Sequence, residues 1–225
     1  MKHFLNKDFL APNVMTFPVD REIVGEFEGL ATNSARFSHL RPPSKWKSDI
    51  EWISAADEQT FELFQSAFDR LGIAAHARPY LDIEHDVRLY AGFLVIRSRC
   101  DAAHFHVDWM KTNNEAFTVM TPVGAAPKDF GLLYKKLDGT TGDYPYRRGE
   151  AIAFGDNFDH STKPGRSDSP VVLLCFEFGT DRMEHWPMIN RTIGSQTTHL
   201  RQPDGQFTRA TGSYAESMDG PSAAN

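Results

Sequence analysis

The chain has 225 residues and a mass of 25.4 kDa, which fits one domain, or one domain with an elaborated end, able to bury the core of a single large β-sandwich or barrel. Hydrophobic residues at 40% and charged residues at 24% exclude wholesale disorder and fibrous repeats. A net charge of −6 gives no electrostatic reason to bind nucleic acid or an anionic membrane, and no apolar run approaches the ~20 residues of a membrane span.

The opening segment breaks its short apolar stretches with Asn6, Lys7, Asp8 and Pro12, so it does not read as a signal peptide. Residues 1–50 look irregular, with one short helix expected at Arg21–Leu30 and a break at Pro42-Pro43. A strong helix is predicted over Asp57–Leu71, where Phe61, Phe64, Phe68 and Leu71 form one stripe and Gly72 stops it. From about residue 80 the pattern changes to short Val-, Ile-, Phe- and Tyr-rich runs separated by Gly, Pro, Asp and Asn. Strands are predicted at Leu89–Ser98, Ala103–Trp109, Ala116–Pro122, Phe130–Leu137, Glu150–Phe154, Asn157–Thr162 and Val171–Gly179, with a hairpin connection at Leu137–Asp143. The fold class is therefore mainly β (α+β): a jelly-roll-like core over about residues 89–180 with helical support from residues 1–80. One domain is expected over residues 1–203, followed by a loosely attached polar tail over 204–225. Two cysteines, Cys100 and Cys175, are too few for a disulfide scaffold. They read as small buried residues, and a reducing cytoplasm is the expected compartment.

The chemistry concentrates in Ala102-Ala-His-Phe-His-Val-Asp-Trp109. On an extended strand His104, His106 and Asp108 share one face, while Phe105, Val107 and Trp109 take the other as packing residues. A chain with this many His and Asp residues holds about one His-x-Asp pair by chance, so a structural His–Asp hydrogen bond is the competing reading. What favours a metal grip is the predicted strand together with His160, which follows a Gly155-Asp156 turn. Two imidazoles and one carboxylate make the facial triad that holds Fe(II) and leaves three positions open. His104 reads as a supporting hydrogen-bond partner or a core histidine. The remaining histidines have no ligand-like company.

His106-x-Asp108, with His160 placed between a Gly-containing strand and a final apolar strand, resembles the Fe(II)/2-oxoglutarate-dependent oxygenases. The stretches AFGDNFDHSTKPG and PVVLLCFEF are similar to the second half of the double-stranded β-helix in members related to amino-acid hydroxylases. The resemblance covers about residues 89–180 and implies Fe(II) on His106, Asp108 and His160, no catalytic residue beyond these ligands, and 2-oxoglutarate and dioxygen as cosubstrates. It also implies oxidation of a small molecule, with an amino acid or derivative as the first expectation. Because Asp108 leaves no vacancy for a halide, hydroxylation, desaturation or ring closure is implied rather than halogenation. The family's basic residue for the far carboxylate of 2-oxoglutarate stands about ten positions past the distal histidine, where this chain has Ser169-Pro170. Arg166 is the nearest candidate and Lys135 the second. Arg97, just before the metal grip, is the candidate for a substrate carboxylate, against an ion pair with Glu177 or Asp101.

Two other readings compete: another metalloenzyme, for which neither variant's motif is complete, and a non-catalytic jelly-roll. A cupin-type metalloenzyme would use His104, His106 and His160, although Met110 and Lys111 stand where the cupin pattern expects Glu. A metallo-β-lactamase motif would need His directly after Asp108, where Trp109 stands. A non-catalytic jelly-roll would bind a ligand and ignore Fe(II). Oligomeric state is not legible.

Overall fold

Asp57 starts the principal helix by accepting the main-chain N–H of Thr60 at 2.8 Å while Thr60 caps back to Asp57. The computed structural model describes residues 3–41, 48–125, 130–193 and 196–210. In chain order these form β1 (Leu5–Asn6), β2 (Ala11–Pro12), β3 (Val14–Pro18), α1 (Arg21–Gly25), β4 (Ser38–Leu40), β5 (Glu51–Ser54), α2 (Glu58–Arg70) and α3 (Ile73–Ala77). There follow β6 (Arg88–Cys100), β7 (Ala116–Pro122), β8 (Gly131–Lys135), β9 (Thr141–Pro145), β10 (Glu150–Phe154), β11 (His160–Thr162), β12 (Gly165–Gly179), α4 (Trp186–Ile193), β13 (His199–Arg201) and β14 (Phe207–Arg209).

Two antiparallel sheets form the body. A seven-stranded sheet has the order β3-β10-β7-β12-β6-β5-β4, and a three-stranded sheet has the order β11-β8-β9. Alternation along the long central strands sends successive side chains to opposite faces. Leu174, Phe176 and Phe178 of β12 pack with Phe61, Phe64 and Phe68 of α2 on the outer face. Leu173 and Cys175 join Phe93, Val95, Trp52, Leu132 and Tyr134 between the sheets. Helix α2 lies flush on β6: a Cβ at Gly92 would sit 2.3 Å from the Phe64 side chain, so only glycine admits the helix there. Both cysteines are free and buried. Among the described residues no helix is long and apolar enough to cross a membrane.

The mainly β class and the strands built on long apolar runs agree with the sequence reading, whereas several local expectations do not. Ala103–Trp109 is not a strand; it makes a single bridge, His106 with His160. After β6 the chain leaves the large sheet, and Lys111, Asn113 and Asn114 follow with left-handed backbones that cannot continue an extended ladder. The helix expected at Arg21–Leu30 ends at Gly25 and continues as turns. The hairpin connection is shorter than Leu137–Asp143, because β9 already starts at Thr141. Residues 1–80 do more than lend helical support, since β3, β4 and β5 extend the large sheet on both flanks. Within the stretch expected to be tail, β14 pairs with β13; residues from 211 onward lie outside the described residues.

Candidate metal centre

His106 and His160 face each other because their main chains exchange two hydrogen bonds, each N–H reaching the other's carbonyl at 2.9 Å. Each imidazole is then locked by its own Nδ1, which lies 2.9 Å from the His104 carbonyl for His106 and 3.0 Å from the Phe158 carbonyl for His160. A carbonyl can only accept, so Nδ1 carries the hydrogen and Nε2 presents its lone pair, the tautomer a metal requires. Asp108 Oδ1 lies 3.5 Å from His106 Nε2 and 3.9 Å from His160 Nε2. The three donor atoms all fall within 4.8 Å of one another. Burial pushes the His160 pKa down, and this outweighs the opposing pull of the Asp108 charge, so the ring is held neutral.

Asp108 is oriented from behind. Thr118 on β7 donates its hydroxyl to Asp108 Oδ2 at 3.1 Å and accepts the indole N–H of Trp109 at 3.0 Å. Trp109 is fully buried, as expected of a packing residue. Thr192 of α4 donates to the Asp108 main-chain carbonyl. The loop before His160 is tied to the loop after Asp108: Asn114 accepts the Asp156 N–H, Thr112 bonds the Asp156 carboxylate, and Asn157 N–H reaches the Trp109 carbonyl. Gly155 sits at this junction, where a Cβ would come within 2.3 Å of Asn114 Oδ1. His104 contributes its carbonyl to the His106 ring, but its own side chain is exposed, so it is neither a core histidine nor one of the three donors.

The three donors open into a cavity of about 310 Å³ between the sheets, within the usual range for small-molecule sites. Its lining includes Trp52, Phe93, Met120 and Leu132, with Arg97 and, from α4, Arg191 as its two guanidiniums. The Arg97 guanidinium bonds the Thr162 hydroxyl, and its Nε is buried with no partner. Burial pushes the Arg97 pKa down, the mark of a cation without an adjacent counter-charge. Thr162 lies two residues past His160 on β11, on the same face and about 7 Å away.

Arg166 is placed elsewhere. Between Arg166, which pairs with Arg99, and Val171, which pairs with Arg97, four residues of β12 oppose one of β6. This bulge carries Arg166 to the exposed rim, where it meets Asp101 at 3.2 Å outside the cavity lining. Lys135 stacks over the Phe105 ring at 4.3 Å and bonds Thr141, also outside the lining. The alternative ion pair of Arg97 with Glu177 or Asp101 does not form; Arg99 is the residue that meets Asp101 from β6. Sequence reasoning missed Thr118, Thr162 and the whole of α4. Thr162 was findable, because it alternates with His160.

No family model matches the chain, and no curated protein matches it. Solved structures do. The non-haem α-ketoglutarate-dependent epimerase SnoN from nogalamycin biosynthesis aligns with a TM-score of 0.60 at 14% identity, covering 75% of this chain and 79% of that one. HygX from Streptomyces hygroscopicus, in its complex with nickel, 2-oxoglutarate and hygromycin B, aligns with a TM-score of 0.54 at 13% identity, covering 78% and 88%. A Pseudomonas putida prolyl-4-hydroxylase aligns with a TM-score of 0.53 at 15% identity, covering 75% and 92%. Identities this low establish shared architecture, and the chain has the jelly-roll fold of the Fe(II)/2-oxoglutarate-dependent oxygenases.

Proposed function

We propose that the protein is an Fe(II)- and 2-oxoglutarate-dependent dioxygenase that oxidises a C–H bond of a small molecule, by hydroxylation or a related desaturation or ring closure. The observation that carries this reading is the convergence of two Nε2 lone pairs and one carboxylate oxygen at the cavity wall. Two neutral imidazoles and one carboxylate fit Fe(II) and leave one side of the metal free for other ligands. When bound, the iron supplies dioxygen activation, with 2-oxoglutarate as the reductant.

The residues of this chain do the remaining work. His106, Asp108 and His160 hold the metal, and the two histidine Nδ1–H bonds keep their rings in the binding tautomer. Arg97, rather than Arg166, takes the far carboxylate of 2-oxoglutarate, with Thr162 beside it. The spacing of about 7 Å between His160 and Thr162 suits a five-carbon dicarboxylate bound to the metal at one end and to the guanidinium at the other. Apolar walls at Trp52, Phe93 and Leu132 keep bulk water from the reacting centre. With Arg97 engaged, an amino-acid or similar anionic substrate would be received by Arg191, the exposed guanidinium of the lining. The small-molecule ligand in the HygX complex and the nogalamycin compound in a SnoN complex support a small substrate here as well.

The test is conversion of 2-oxoglutarate to succinate, which such enzymes perform slowly without their main substrate. Wild-type protein with Fe(II) and dioxygen should form succinate, while Asp108→Ala and His160→Ala should form none and keep their β-type circular dichroism. Succinate formation unaffected by either substitution would remove the triad from the reaction.

A further inference from the structure

Glu177 is a carboxylate with zero exposure whose two oxygens have no hydrogen-bond partner. An orphaned buried group of this kind destabilises a fold, and its presence calls for a reason. On β12, Leu174, Phe176 and Phe178 face α2, so Glu177 shares the opposite face with Leu173 and Cys175, the face of the metal cavity. In the β12–β7 ladder Glu177 stands directly opposite Thr118, a pairing that brings the two Cα atoms to about 4.5–5.5 Å with side chains on one face. Thr118 is the residue whose hydroxyl holds Asp108 Oδ2.

A hydroxyl has one hydrogen to donate and two lone pairs to accept with. Thr118 spends its hydrogen on Asp108 and one lone pair on the Trp109 indole, which leaves one acceptor position open. We propose that Glu177 is a positioning residue for the metal: its carboxyl donates into that open position and closes a chain from Glu177 through Thr118 to Asp108 Oδ2. The chain reserves Oδ2 for Thr118 and so turns Oδ1, the oxygen already nearest both histidine Nε2 atoms, toward the metal. In the structure the Glu177 oxygens make no hydrogen bond, and a rotation of the carboxyl toward Thr118 on the shared face would close the last link. Burial first and the Asp108 charge second favour the neutral acid, the form able to donate.

The inference rests on the metal reading above, and the experiment separates the two. Co(II) is titrated into the full-length metal-free protein, following its visible absorption, for wild type, Glu177→Gln, Glu177→Met and Thr118→Val, with thermal unfolding of each measured without metal. Glutamine keeps an N–H donor in the same place, so it should bind Co(II) within about 2-fold of wild type. Methionine removes the donor and should weaken binding by about 10-fold or more, while melting no lower than wild type because the orphaned carboxyl is gone. Thr118→Val should lose a similar factor, and adding Glu177→Met to it should cost little more. Wild-type-like Co(II) binding by Glu177→Met would overturn the proposal, as would equal losses for Gln and Met. If wild type itself bound no Co(II), the metal reading would fail first and take this inference with it.

Discussion

Replacing Arg97 with methionine should separate cosubstrate binding from metal binding. In the structure Arg97 lines the cavity with one terminal N–H on the Thr162 hydroxyl, and a guanidinium is the natural partner of a carboxylate. Hydrogen bonds to a charged group contribute about 1.5–3 kcal/mol, so their loss corresponds to about 10- to 150-fold in Kd. Methionine has similar length and leaves no buried cation, so the metal-free variant should be at least as stable as wild type. The assay is anaerobic equilibrium titration of 2-oxoglutarate into Fe(II)-loaded protein, with Fe(II) binding measured separately. The expected result is weaker 2-oxoglutarate binding at unchanged iron affinity. A 2-oxoglutarate Kd within 2-fold of wild type would refute the assignment and return the far carboxylate to another cation.

Arg166→Ala supplies the converse. Its guanidinium is exposed and bonded to Asp101, so the substitution should leave the 2-oxoglutarate requirement unchanged; a raised requirement would restore Arg166 to the site. Phe64→Ala removes a fully buried ring between α2 and β6 and should cost about 3–5 kcal/mol in denaturant unfolding; a loss below about 1 kcal/mol would mean the helix does not bear on the sheet as described. The pH dependence of the metal-free protein should carry the signature of Glu177. Burial and then the Asp108 charge raise its pKa well above the ordinary glutamate value of about 4.5, so the folded state holds a proton that the unfolded state releases above that pH. Stability of the wild type should therefore fall as pH rises from about 4.5 toward the folded-state pKa. Glu177→Gln lacks this loss, so its advantage should grow with pH over the same window; a pH-independent difference would contradict the burial of an uncompensated carboxyl.

The parts of the fold that were legible are those where one physical signal dominates. The Phe61, Phe64 and Phe68 stripe specifies α2 to within a residue at each end, and Ala116–Pro122 and Glu150–Phe154 are apolar runs whose boundaries match β7 and β10. The three donor residues were legible because His-x-Asp and a distant His are local patterns. The short strands β4 and β5, of three and four residues, carry too little alternation to read and are specified by the sheet edge that receives them. That Arg97 lines the cavity while Arg166 stands outside it was not legible either. It turns on a bulge that sets four residues of β12 against one of β6, a property of the pairing that neither strand displays alone. Glu177 looked like an available ion-pair partner for Arg97 because both lie on central strands. The register puts them six residue pairs apart, with Glu177 opposite Ala91 and Arg97 opposite Val171.

The central claim is that one cavity wall holds iron on His106, Asp108 and His160 with 2-oxoglutarate bound to it. The most direct test is an anaerobic titration of 2-oxoglutarate into the Fe(II)-loaded protein, following the weak visible charge-transfer band that appears when the oxo acid chelates iron. The account predicts a saturable band in wild type and none in His160→Ala. Iron binding without the band would contradict the role given to 2-oxoglutarate, and a band that survived in His160→Ala would contradict the triad.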